Sequence, residues 1–223
     1  RRFGSKKFPD GRSLDKSDVM IIAGDFGGIW STNEHNAEEN YHLNWLNEKP
    51  WTTVFVDGNH ENFDRLESMP EQERFGSPVG VIRDSVLHLQ RGYVYTINDQ
   101  KIFAFGGGYS IDKMRRSVNI SWWERELPNY QEYNRGLHNL EANDNRVDYV
   151  ITHSCPKFAF NRMALKYQMI HKEVDEESQL REYFDLVHEK IDYRNWFCGH
   201  FHVNLFSVDR INFLYGGIVE LEV

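Results

Sequence analysis

The chain has 223 residues, of which 40 % are apolar and 27 % charged, a balance that excludes a disordered polymer and gives residues 1–223 room for one substantial core in a single domain. A net charge of −8 disfavours nonspecific attraction to a nucleic-acid backbone, so nucleic acid is not an expected partner. No apolar run approaches the ~20 residues that span a bilayer, no secretory signal opens the chain, and Cys155 and Cys198 make no disulfide framework, so a cytoplasmic location without a membrane partner is expected.

Arg1 opens a polar, basic stretch, RRFGSKKFPDGRSLDKSD, without an initiator methionine. Val19 to Ala23 then reads as a buried strand running into Gly24-Asp25, and Asn33 to Glu48 as a helix with Tyr41, Trp45 and Leu46 near one face, stopped by Pro50. Thr53 to Val56 is the next strand, ending at Asp57-Gly58-Asn59-His60, and Glu61 to Glu67 suits a helical turn. Val79–Arg83, Val86–Gln90, Tyr93–Asn98 and Lys101–Phe105 follow as strands, the last two joined by an Asn98-Asp99 turn. After the glycines at 106–108 comes a polar loop, a helix over Asn129–Asn143, a strand over Asp148–Thr152 that ends at His153, and an amphipathic helix over Ser178–Lys190. Asn195–Cys198 delivers Gly199-His200-Phe201-His202, and strands over Leu205–Val208 and Asn212–Leu214 close the chain. Strands alternating with helices predict an α/β layered fold.

Several of these strands end in a residue able to bind a metal: Asp25, Asn59, His153, and the pair His200 and His202. In an extended segment His200 and His202 would point the same way. Ligands at strand ends converge on one edge of a sheet, where α/β folds place their sites, and imidazole, carboxylate and amide oxygen together suit divalent transition metals. Apart from His60, the remaining histidines, His35, His42, His88, His138, His171 and His188, show no ligand spacing and are expected in ordinary surface or packing roles.

Taken in order, Gly24-Asp25, Gly58-Asn59-His60-Glu61, Thr152-His153 and Gly199-His200-Phe201-His202 resemble the motifs of the calcineurin-like metallophosphoesterase superfamily, over essentially the whole chain. VDGNHENF, FGGGYSIDK and SWWERELP further resemble its bacterial and phage metallophosphatase branch. The resemblance implies a four-layer α-β-β-α sandwich of two mixed sheets and a dinuclear site for two divalent ions, manganese first, iron or zinc otherwise. Asp25 would bridge the ions, Asn59, His153 and His200 would complete one, and His202 would serve the other. His60 would act on the leaving-group oxygen as general acid or hydrogen-bond donor, oriented by Asp57 or Glu61. By themselves, Gly58 and Gly199 read either as tight turns that let backbone approach the metals or simply as strand ends. The implied reaction is hydrolysis of a phosphomonoester or small phosphodiester by a metal-activated water. A nuclease, or a degenerate, catalytically weak phosphate-binding or interaction protein of the same fold, are the competing readings.

Two departures bear on that reading. The Asp-x-His motif that opens the superfamily pattern is absent, and Asp18, Asp10 and Asp15 are placed too far from Asp25 to replace it. Either a first strand precedes Arg1 or the protein has one good metal site; the missing methionine favours the first. In both cases this chain is expected to bind one ion well and the other weakly. Second, GDFGGIW has Gly27 and Gly28 where phosphoprotein phosphatases carry an Asp-Arg pair, so the cation for the substrate phosphate is sought in Lys113, Arg115 and Arg116. Trp122 and Trp123 are expected either to wall a pocket or to pack in the core, and the charge run 172–177 to form an exposed loop.

Overall fold

The computed structural model describes residues 3–168, 175–204 and 206–222. The readings made for Arg1, for His171, for residues 172–174 of the charge run and for Leu205 lie outside them.

Alternation along the strands builds the layers. In β2 (Thr52–Val56), Val54 and Val56 face one way and Phe55 the other; in β7 (Gln100–Phe105), Ile102 and Ala104 oppose Phe103 and Phe105. Both faces are apolar, so each sheet is covered on both sides. Val54, Val56, Leu87 and Leu89 meet Ile102, Ala104, Tyr149 and Ile151 in a core between two sheets. Phe55, Val86 and Ile82 pack outward under Leu43 and Leu46 of α1 (Ala37–Asn47) and Phe63 and Leu66 of α2 (Phe63–Glu67). On the far side Phe103, Phe105, Val150 and Trp196 pack under α3 (Tyr130–Ala142), α4 (Lys157–Lys166) and α5 (Asp175–Lys190). The expected α-β-β-α sandwich is the architecture found.

The first sheet has the order β1-β2-β5-β4-β3, with β1 (Val19–Ala23), β2 and β5 (Val86–Leu89) parallel and β4 (Ser77–Arg83) and β3 (Glu71–Arg74) antiparallel additions. β1 is an edge strand, and all its residues are half-buried. The second sheet runs β10-β11-β9-β8-β7-β6, in which β7, β8 (Tyr149–Thr152), β9 (Asn195–Cys198) and β11 (Ile211–Phe213) are parallel, and β6 (Tyr93–Ile97) and β10 (Phe206–Val208) antiparallel. Every chemistry-bearing turn follows the C-terminal end of a parallel strand.

Three elements differ from the sequence reading. The first helix begins at Ala37, because the Asn36 side chain accepts the Glu39 amide and caps it there; Leu43 and Leu46 make its buried face, while Tyr41 is exposed. β3 is the all-exposed run EQER, a charged edge strand without an alternating apolar signal. α4 was not anticipated; Ala159, Phe160 and Met163 place it on the second sheet. By contrast the Asn129–Asn143 reading meets its caps, with Asn129 and Glu132 forming a reciprocal capping box.

Candidate metal centre

His153 is at the middle of the site. It leaves β8, is 1 % exposed, and its Nδ1 lies 3.0 Å from the carbonyl oxygen of Ala23 at the end of β1. A carbonyl only accepts, so Nδ1 carries a proton and, in the neutral ring, Nε2 presents a lone pair. Around that lone pair stand Asn59 Oδ1 at 3.1 Å, Asp25 Oδ1 at 3.2 Å and His200 Nδ1 at 3.1 Å. The Asn59 amide is oriented from behind: its Nδ2 donates to Ser110 Oγ at 3.1 Å, and that hydroxyl donates to Glu126 Oε2 at 2.7 Å. Its Oδ1 is therefore the atom turned toward His153.

Acceptors facing an acceptor need a cation between them. One shared proton relieves a single contact; a divalent ion relieves all of them. Right-angled ligands at about 2.0–2.2 Å from an ion stand about 3 Å apart, which is the spacing of the contacts to His153 Nε2. Among the described residues, no group of three or more His, Cys, Asp and Glu side chains is by itself spaced to hold a metal. The contacts radiate from His153, and the set that fits a hard or borderline ion includes the Asn59 amide oxygen.

Electrostatics follow the same pattern. Burial alone would raise the Asp25 carboxyl, but His153, His60 and His200 around it hold it well below the usual carboxylate range. Burial would lower His153, and the Asp25 carboxylate beside it outweighs that and raises it. The backbone makes this closeness possible at two glycines: a β-carbon on Gly58 would stand 2.3 Å from Asp25 Oδ1, and one on Gly199 2.5 Å from the Ala23 carbonyl oxygen.

His202 does not share in this cluster. The strand ends at Cys198, and both His200 and His202 have positive φ, 67° and 53°, so the extended side-by-side geometry expected of the pair is not formed. The His202 ring is exposed and packs on Tyr215 with centroids 4.5 Å apart. Asp10, Asp15 and Asp18 also stay away: Asp18 immediately precedes β1 at the opposite end of the sheet, and Phe3 and Phe8 pin the N-terminal segment against Trp51 there.

His60 borders the cluster. Its backbone amide donates to Asp25 Oδ1 at 3.2 Å, and its Nδ1 lies 3.3 Å from Arg116 Nη1. Neither carboxylate expected to orient it does so. Asp57 is turned into the interior, where it accepts from Arg91 at 2.6 and 2.8 Å and meets His88 Nε2 at 3.0 Å. Glu61 caps the loop after Asp25, accepting from the amides of Phe26 and Gly27. A guanidinium only donates, so His60 Nδ1 accepts from Arg116 and Nε2 keeps the proton. Burial lowers the His60 pKa, Asp25 opposes that, and Arg116 and His153 add to the lowering.

The basic loop divides. Arg116 reaches His60 and is braced by Asp112 at 2.8 Å; Lys113 pairs with Glu176 at 3.5 Å; Arg115 is exposed. Trp123 is core, 2 % exposed, while Trp30, which the sequence did not single out, stands with its ring 5.9 Å from His60. The charge run is not all surface either: Glu177 is 1 % exposed and its Oε1 is 3.5 Å from His200 Nε2. Its helical spacing with Leu180, Phe184 and Val187 was the available signal.

Compared with known proteins, residues 5–204 match the family model of the calcineurin-like phosphoesterases. No curated protein and no solved structure matched the chain.

Proposed function

The chain belongs to the calcineurin-like phosphoesterase family, and from that we propose that residues 1–223 act as one domain hydrolysing a phosphomonoester or a small phosphodiester with a divalent metal, manganese first. The observation that carries the reading is the set of acceptor atoms, Asp25 Oδ1, Asn59 Oδ1 and His200 Nδ1, turned on the His153 Nε2 lone pair. These four residues would hold one ion. When bound, it supplies Lewis acidity toward phosphoryl oxygens and lowers the pKa of water.

The chain's own residues do the rest. Asp25 keeps its negative charge because the surrounding imidazoles favour it. Arg116 is the cation of its loop that serves the substrate phosphate, as its guanidinium already borders His60. His60, neutral with its proton on Nε2, donates a hydrogen bond to the leaving-group oxygen; of the two roles open to it, this is the one its Arg116 contact supports. Asp25 and His202 are the residues this chain would offer a second ion, which would bind there weakly. Free, buried Cys155 and Cys198 suit a reducing compartment such as the cytoplasm; among the described residues no helix is long and apolar enough to cross a membrane.

The test is turnover of p-nitrophenyl phosphate and bis-(p-nitrophenyl) phosphate with and without Mn²⁺. Metal-dependent release of nitrophenolate is expected. The absence of any metal-dependent turnover by the intact protein would overturn the enzymatic reading and leave a phosphate-binding role.

A further inference from the structure

Glu177 stands behind the cluster, on the stripe of α5 that otherwise carries Leu180, Phe184 and Val187 into the core. Its carboxylate is gripped from two sides: Ser154 Oγ donates to Oε1 at 2.6 Å, and Arg181 Nη2 donates to Oε2 at 2.6 Å. The same Oε1 stands 3.5 Å from His200 Nε2, while the other ring nitrogen, Nδ1, faces His153 Nε2 at 3.1 Å.

Stability does not account for the arrangement. Arg181 is 3 % exposed and, among the described residues, leaves its Nε and Nη1 without a hydrogen-bond partner, its guanidinium lying 3.7 Å over the Phe160 ring. A buried ion pair with two unsatisfied donor nitrogens is a poor exchange for the apolar residues that the stripe would otherwise hold. What the pair does is fix an anionic oxygen beside one nitrogen of a site imidazole. An anion beside Nε2 draws the ring proton to that nitrogen, leaving Nδ1 as a lone pair for the cluster and raising its donor strength.

We propose that Glu177, held by Ser154 and Arg181, is a positioning residue that keeps the His200 proton on Nε2 and its Nδ1 lone pair on the metal side. The inference rests on the metal-site reading given under Proposed function. It adds to that reading a residue from a part of the chain with no motif, reaching the site across helix α5.

Two measurements on the whole chain decide it. Calorimetric titration with Mn²⁺ should show Glu177→Ala weakening binding about 10–100-fold and Glu177→Gln, whose amide oxygen can still accept from Nε2, weakening it less. Urea unfolding of the metal-free variants reports any structural effect separately; Mn²⁺ affinities within twofold of wild type would overturn the proposal even if stability falls. Imidazole ¹⁵N spectra of the metal-free wild type should place the His200 proton on Nε2, and a neutral His200 protonated only on Nδ1 would overturn it too. A wild-type chain that binds no Mn²⁺ but shows Nε2 protonated would sink the metal reading and leave the Glu177–His200 relation standing.

Discussion

Arg91→Met is a sharp test of how the site is held from behind. Arg91 and Asp57 are buried, 3 % and 1 % exposed, and joined by hydrogen bonds of 2.6 and 2.8 Å; Arg91 also reaches Glu132 at 3.2 Å and the Arg125 carbonyl oxygen at 2.8 Å. Methionine fills most of the volume but leaves the Asp57 carboxylate with His88 alone. Breaking a buried pair by removing one partner costs about 3–5 kcal/mol. For a chain of this size that is a fall of about 6–20 °C in midpoint, at about 2–4 °C per kcal/mol. The assay is urea unfolding of the metal-free protein at pH 7, and a loss below about 1 kcal/mol would refute the reasoning. The pH dependence carries the sign. Burial would raise the Asp57 carboxyl, but Arg91 and His88 hold it far below its usual 3.8. Its contribution is thus complete above that usual value and is lost as pH falls through the depressed one. The gap between wild type and Arg91→Met should therefore narrow as the pH is taken below 3.8. Function should follow stability, because the Asp57 carbonyl accepts the Gly107 amide at 3.0 Å and so ties the Asn59-His60 turn to the turn after β7.

Further outcomes are expected of the site itself. His153→Ala and Asn59→Ala should lower both bound Mn²⁺, measured by elemental analysis after gel filtration, and turnover, whereas His60→Ala should lower turnover with metal retained. Ser110→Ala frees the Asn59 amide to rotate and should weaken Mn²⁺ binding about tenfold in a calorimetric titration. Elemental analysis of the wild type should give one tightly held ion per chain, unchanged in His202→Ala; two tightly held ions would contradict the placement of His202 on Tyr215. Arg116→Ala should raise KM for p-nitrophenyl phosphate at least tenfold, while Arg115→Ala stays within twofold of wild type.

What the sequence revealed, and what it hid, divides by the range over which each signal acts. Strands such as β2 and β7 were legible because a short apolar run is written within a few residues, and the ends of β1, β2, β8 and β9 carry Asp25, Asn59, His153 and His200 together without knowledge of any contact. The orienting partners were not legible, because a side chain's choice of partner is settled by packing across the fold. Asp57 and Glu61 both flank the Asn59-His60 turn in sequence, yet one is drawn to Arg91 and the other to the Phe26 amide. His60 is met instead by Arg116, from a loop 56 residues further on. His202 shows the converse: the His-x-His spacing implied a strand, but Gly199 ends it, and positive φ at both histidines separates their surroundings. Glu177 combines both lessons. Its charge made 172–177 read as surface, while its place on the Leu180–Phe184–Val187 stripe already required it to be buried, and a carboxylate required to be buried must find partners there. The need for a partner is thus locally readable in a charged residue on an apolar helix stripe, while the partners themselves, here Ser154, Arg181 and His200, are invisible until the chain is folded.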